Sequence, residues 1–81
     1  MPTIKPMTVI GDGVRFGADV HVWHFTTIGH FVVLDNYVTI GSHCYIGEYS
    51  VIGAESRIQT GVFLPNRSKV GERVFIGPHV W

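Results

Sequence analysis

The chain has one cysteine, Cys44, and no excess of either charge: six Lys plus Arg stand against six Asp plus Glu. A single thiol excludes an internal disulfide, and a reducing, cytoplasmic compartment is the expectation. The charge balance argues against a nucleic-acid ligand or an anionic membrane surface, both of which draw a basic excess. Apolar runs are short, and none approaches the ~20 residues of a membrane span. The opening MPTIKPMTVIGDG lacks the basic-then-apolar layout of a signal peptide. Strong helix formers are scarce, which with ten glycines argues against an α-helical protein. Eighty-one residues make one small domain, residues 1–81, with little room for a deep globular core.

What the chain has instead is a period of six. Stepping from Ile4 by six reaches Ile10, Phe16, Val22, Ile28, Leu34, Ile40, Ile46, Ile52, Ile58, Leu64, Val70 and Ile76, all large and apolar, with no insertion or deletion. With such residues at about a third of a chain, chance agreement at every place is on the order of one in a million. Two places before each following large residue stands a small or β-branched one, such as Thr26, Val38, Cys44, Ser50 or Ser56. Directly after the large residue, eight of thirteen repeats carry Gly.

Six is neither the helical 3.6 nor a simple alternation. It reads as a short strand followed by a corner. Small and large residues two apart both point inward, and the residue between them points outward. The Gly after the large residue is expected to supply the backbone angles of a tight corner. Three strands and three corners make a coil of eighteen residues, so residues 4–81 give about four coils, stacked at roughly 4.8 Å through parallel hydrogen bonds. The fold class is all-β, a parallel β-helix of hexapeptide repeats.

Stacking residue n on n+18 sorts the outward positions into three faces. One presents Met7, Val9, Phe25, Tyr45, Phe63 and Trp81; the next presents Phe31, Val33, Tyr49 and Val51; the third is mostly polar, with His21, Glu55, Arg57 and Arg73. Two adjacent apolar faces predict self-association, and three prisms packed edge-inward make a closed homotrimer. Among the five histidines, His43 and His79 share a column two coils (~9.6 Å) apart, with Gly61 leaving a notch between them. That spacing is too great for one metal within a chain, so no metal is expected. Either imidazole is a candidate catalytic base. His24 and His30 fall at corners, where a side chain reaches a neighbouring subunit, and Trp23 replaces a corner Gly and projects outward. These three are candidate substrate-binding residues.

The hexad pattern resembles that of the left-handed β-helix acyltransferases over nearly the whole chain, and the left hand is an implication of that resemblance. Val22-Trp23-His24-Phe25, Ile58-Gln59 and Val74-Phe75-Ile76-Gly77-Pro78 are similar in identity, spacing and order to segments of bacterial nucleotide-sugar N-acetyltransferases. The resemblance implies acetyl-CoA as acyl donor and a nucleotide-sugar as acceptor. It covers that family's N-terminal coils; the sugar- and coenzyme A-binding residues that follow the Gly-Pro segment have no counterparts before Trp81. The expectation is therefore a transferase-like hexapeptide-repeat protein. The alternative is a non-catalytic trimeric scaffold or ligand-binding module. A second alternative is a γ-class carbonic anhydrase-like zinc enzyme, which the segment Ser56-Arg57-Ile58-Gln59-Thr60-Gly61 resembles, although Leu64-Pro65-Asn66 stands where that family has histidine.

Overall fold

The computed structural model describes residues 3–78. Among them thirteen two-residue strands recur every six residues: β1 (Thr3–Ile4), β2 (Val9–Ile10), β3 (Arg15–Phe16), β4 (His21–Val22), β5 (Thr27–Ile28), β6 (Val33–Leu34), β7 (Thr39–Ile40), β8 (Tyr45–Ile46), β9 (Val51–Ile52), β10 (Arg57–Ile58), β11 (Phe63–Leu64), β12 (Lys69–Val70) and β13 (Phe75–Ile76). They build three parallel sheets. Face A stacks β1, β4, β7, β10 and β13; face B stacks β2, β5, β8 and β11; face C stacks β3, β6, β9 and β12. Every pairing has a register of eighteen, as in Val22 opposite Ile40 and Ile40 opposite Ile58. The expected left-handed parallel β-helix of about four coils is the fold observed. Among the described residues no helix is long and apolar enough to cross a membrane.

The core is the column system that the hexads require. Ile28, Leu34, Ile40, Ile46, Ile52 and Ile58 are buried, and the small partners Val20, Val32, Val38 and Val62 are buried beside them. Burial of each large side chain contributes roughly 1.5–3 kcal/mol. Ile10, Phe16, Leu64, Val70 and Ile76 are only partly covered, because each rung is shielded by the coils directly above and below it.

The corners correct the sequence reading. None of the glycines that follow a large residue has a positive φ. The left-handed position falls two residues later, at Met7, Asp19, Phe25, Phe31, Tyr37, His43, Tyr49, Glu55, Arg67 and Arg73, with φ between 53° and 65°. Glycine meets this need only at Gly13 and Gly61. A left-handed L-residue costs about 1–2 kcal/mol, and the turn offsets it by aiming that residue's N–H along the helix axis. Phe31 donates to Asp12 O at 2.8 Å, Tyr37 to Ala18 O at 2.8 Å and His43 to His24 O at 3.1 Å. These residues therefore stand at corners, not on the flat faces where Met7, Phe25, Phe31 and Tyr49 were expected. The glycine after the large residue answers a different demand. A Cβ on Gly41 would lie 2.7 Å from Thr60 N, and one on Gly11 equally close to His30 N, so at these corners the next coil leaves no room for a side chain unless the backbone shifts.

The small inward residues also carry polar work. Thr26 Oγ1 donates to Gly41 O at 2.6 Å and accepts Cys44 N–H at 3.2 Å. Ser56 repeats the pattern toward Gly71 O and Val74 N. Ser50 bridges Pro65 O and Ser68 N. Each hydroxyl ties its coil to the next, and no buried side-chain polar atom among the described residues lacks a partner.

Outward on face B stand Val9, Thr27, Tyr45 and Phe63, and on face C Arg15, Val33, Val51 and Lys69. Tyr45 and Phe63 stack with centroids 5.1 Å apart. Phe31 and Tyr49, on the corner between faces B and C, stack at 5.3 Å, with Arg67 over the Tyr49 ring. The apolar surface thus runs across face B and around both of its corners, with Met7, Trp23 and Phe25 exposed on the A–B side and Phe31 and Tyr49 on the B–C side, and charged residues flank the valines of face C. Face A presents Thr3, His21, Thr39, Arg57 and the exposed Phe75.

Candidate functional site

The turn between β4 and β5 carries Trp23, His24 and Phe25 on the A–B corner. By the eighteen-residue register, Lys5, Trp23, Gly41 and Gln59 form one column of this corner, and Pro6, His24, Ser42 and Thr60 form the next. Trp23 is 42% exposed, with Lys5 Nζ 5.2 Å from the centroid of its ring. Above Trp23, Gly41 contributes no side chain, and Gln59 projects from the coil above that. The result is an open cleft of about 280 Å³ lined by Trp23, Thr39, Gly41, Ser42, Ile58, Gln59 and Thr60. No lining residue is charged.

His24 lies beside this cleft, half-buried between two aromatic rings. Its centroid is 6.4 Å from Trp23 and 6.2 Å from Phe25. Nδ1 is 3.2 Å from the carbonyl oxygen of Pro6. A carbonyl only accepts, and proline has no N–H to offer, so Nδ1 is the donor. The neutral ring then carries its proton on Nδ1 and leaves a lone pair on Nε2. His30 is the reverse case. Its Nδ1 accepts the Asp12 N–H at 2.8 Å, which leaves Nε2 protonated in the neutral ring.

The other sequence-derived residues separate. His43 is an exposed corner residue whose ring stacks on Phe25 at 5.1 Å, one coil above the Trp23-His24-Phe25 turn. His30 stands on the B–C corner, away from Trp23 and His24. His79 and Trp81 lie outside the described residues. The cleft opens beside Gly41, not at Gly61. Among the described residues no three or more His, Cys, Asp or Glu side chains gather where they could hold a metal ion. Thr39, Ser42 and Thr60 escaped the sequence reading because each is an ordinary outward or corner residue of its own hexad. The register n, n+18, n+36 was the available signal, since it sets a Gly between a Trp and a Gln.

Cys44 is inert by placement. It is 3% exposed, its Sγ–H donates to Gln59 O at 3.0 Å, and burial pushes its thiol up from the ordinary value.

Residues 25–60 match the family described as bacterial transferase hexapeptide (six repeats). No curated protein is significantly similar to the chain. The match and the three-sheet solenoid together support the hexapeptide-repeat left-handed β-helix superfamily and a transferase-like hexapeptide-repeat protein. The matched span includes Gly41 and Gln59 and begins two residues after Trp23.

Proposed function

We propose that the protein is an acetyl-CoA-dependent N-acetyltransferase that acts on the amine of a nucleotide-linked sugar and works as a homotrimer. The observation that carries this reading is the His24 Nδ1 to Pro6 carbonyl contact. It holds the imidazole with Nε2 as an acceptor at the edge of a cleft of neutral hydrogen-bonding groups. Acetyl-CoA supplies the acetyl group, which passes from sulfur to the amine nitrogen as the C–S bond breaks and coenzyme A departs as its thiolate, to be protonated by the imidazolium that forms. His24 Nε2 takes the proton that the nitrogen loses, and the Pro6 carbonyl steadies the resulting imidazolium through Nδ1–H. His43, on the same corner, is the second candidate for this proton transfer. Coenzyme A and a nucleotide both carry phosphates and the cleft lining carries no cation, so the cleft suits the sugar ring of the acceptor, with the phosphates of donor and acceptor outside it.

The apolar band across face B and the B–C corner favours self-association. With the B–C corner turned to a threefold axis, each A–B corner lies at the outer mouth of the groove between copies, where an acyl donor has access. The same band supports a second reading, a non-catalytic trimeric scaffold. Calorimetry with acetyl-CoA, with and without an amino-sugar nucleotide, separates the two. The transferase reading expects donor binding by the oligomer and acetyl transfer that His24→Gln reduces about 10²-fold or more. An oligomer that binds no acetyl-CoA leaves the scaffold.

A further inference from the structure

We infer that the cleft above Trp23 is a slot for one pyranose ring with neutral hydroxyl substituents, seated at the level of Gly41. This deepens the acetyltransfer reading by giving the acceptor sugar a place, and it rests on that reading only for the choice of an amino sugar.

The argument starts from the other corner and face columns. Where successive coils both carry rings, those rings stack with centroids 5.1–5.3 Å apart, as in Phe25–His43, Phe31–Tyr49 and Tyr45–Phe63. The coil rise thus suits a ladder of flat groups one rung apart. In the Trp23 column the next rung is Gly41, which carries no side chain, and a Cβ built there would lie 2.7 Å from Thr60 N, so the protein leaves that rung open. Gln59 closes the column one rung higher, with Thr60 beside it in the adjacent column. A ring lying on Trp23 at the usual stacking distance occupies the level of Gly41, about 4.8 Å from the rungs above and below. Roughly 280 Å³ is of the right order for one such ring with its substituents.

Trp23 has one face to offer. Lys5 Nζ sits over the ring at 5.2 Å. A cation held there keeps the indole in one orientation before any ligand arrives, which lowers the ordering cost of binding.

The lining chooses the ligand. Thr39, Ser42 and Thr60 bring hydroxyls, each a donor and an acceptor, and Gln59 brings an amide with both functions. Sugar hydroxyls have the same dual character, whereas a phosphate or carboxylate finds no counter-charge in the lining. The C–H face of a pyranose meets the electron-rich face of an indole favourably. His24, 6.4 Å from Trp23 between ring centroids, stands within reach of a substituent on a ring seated over the indole.

Saturation-transfer and chemical-shift NMR on the full chain tests this, with glucosamine and methyl glucoside as probes and adenosine as the flat-ring competitor. Both sugars are expected to bind weakly, with shifts at Gly41, Gln59 and Thr60. Trp23→Ala and Gln59→Ala are each expected to raise Kd at least tenfold while circular dichroism stays unchanged. Thr60→Val is the milder variant, expected to weaken binding several-fold. The slot is overturned if neither sugar binds the parent protein, if Trp23→Ala binds as the parent does, or if adenosine displaces the sugars at the same resonances with higher affinity. Sugar binding without acetyl-CoA binding sustains the slot and removes the transferase reading. Acetyl-CoA binding without sugar binding does the opposite.

Discussion

The backbone N–H of Asp12 lies 2.8 Å from Nδ1 of His30, one coil above it. The same task falls to amides elsewhere: Ala18 N–H donates to Asn36 Oδ1 and Glu48 N–H to Asn66 Oδ1. The second corner residue of one coil is thus satisfied by a side chain of the next. His30→Asn should preserve stability, whereas His30→Ala should cost about 1 kcal/mol. Urea unfolding midpoints measure both. Equal midpoints for the two variants would deny the bridge any energetic role.

Thr26 shows what the small inward residue does besides leaving room. It donates to Gly41 O and accepts Cys44 N–H inside the column. Thr26→Val conserves shape but orphans both groups, and a loss of about 1–3 kcal/mol is expected. Thr26→Ser keeps the hydroxyl and should lose less. If valine is the better tolerated, the coil-bridging role is wrong.

The two glycines Gly53 and Gly71 occupy the same column and should respond oppositely. A Cβ on Gly53 would sit 2.5 Å from the Gly71 carbonyl carbon, whereas the nearest atom to a Cβ on Gly71 is Val74 Cγ2 at 3.8 Å. Gly53→Ala should destabilise by about 1–3 kcal/mol through overpacking. Gly71→Ala should be neutral or stabilise by a few tenths, since alanine restricts the unfolded chain. Thermal melts of the pair decide it.

Cys44 makes stability depend on alkaline pH. Burial raises its thiol above the ordinary 9.0, against the lowering effect of backbone hydrogen bonds from Val62, Gly61 and Gly41. The folded state therefore holds this proton more tightly than the unfolded chain. Its contribution is complete below the unfolded value and is lost as pH rises through the folded one. As pH rises from neutral past the ordinary 9.0, the parent should lose more stability than Cys44→Ser. A native thiol that reacts at the free-cysteine rate near pH 8 would contradict its burial.

The apolar band makes a prediction about mass. Phe63→Asp places a charge in the band on face B and should dissociate the oligomer. Glu55→Lys, on the C–A corner where Glu55 lies 3.7 Å from Arg73, should not. Light scattering reads both. Unchanged mass in the two variants would show that the interface lies elsewhere.

The hexad alone determined a great deal. Thirteen in-phase large apolar positions dictate two-residue inward pairs, an eighteen-residue coil and three parallel sheets, because only one register turns every large side chain inward at once. The columns that follow placed Trp23, His24 and His30 at corners correctly. Tertiary structure decided what one-dimensional spacing leaves undetermined. Glycine after the large residue and a left-handed corner residue two places later look interchangeable in a repeat. Only the distance between stacked backbones separates a steric demand from a conformational one. The roles of His24 and His30 are likewise invisible in sequence, since each tautomer is set by what sits one coil below: a proline carbonyl under His24, a backbone N–H under His30. The cleft belongs to no hexad. It arises where three coils superpose Trp23, a missing side chain at Gly41 and Gln59, and superposition is a property of the wound chain rather than of any segment of it.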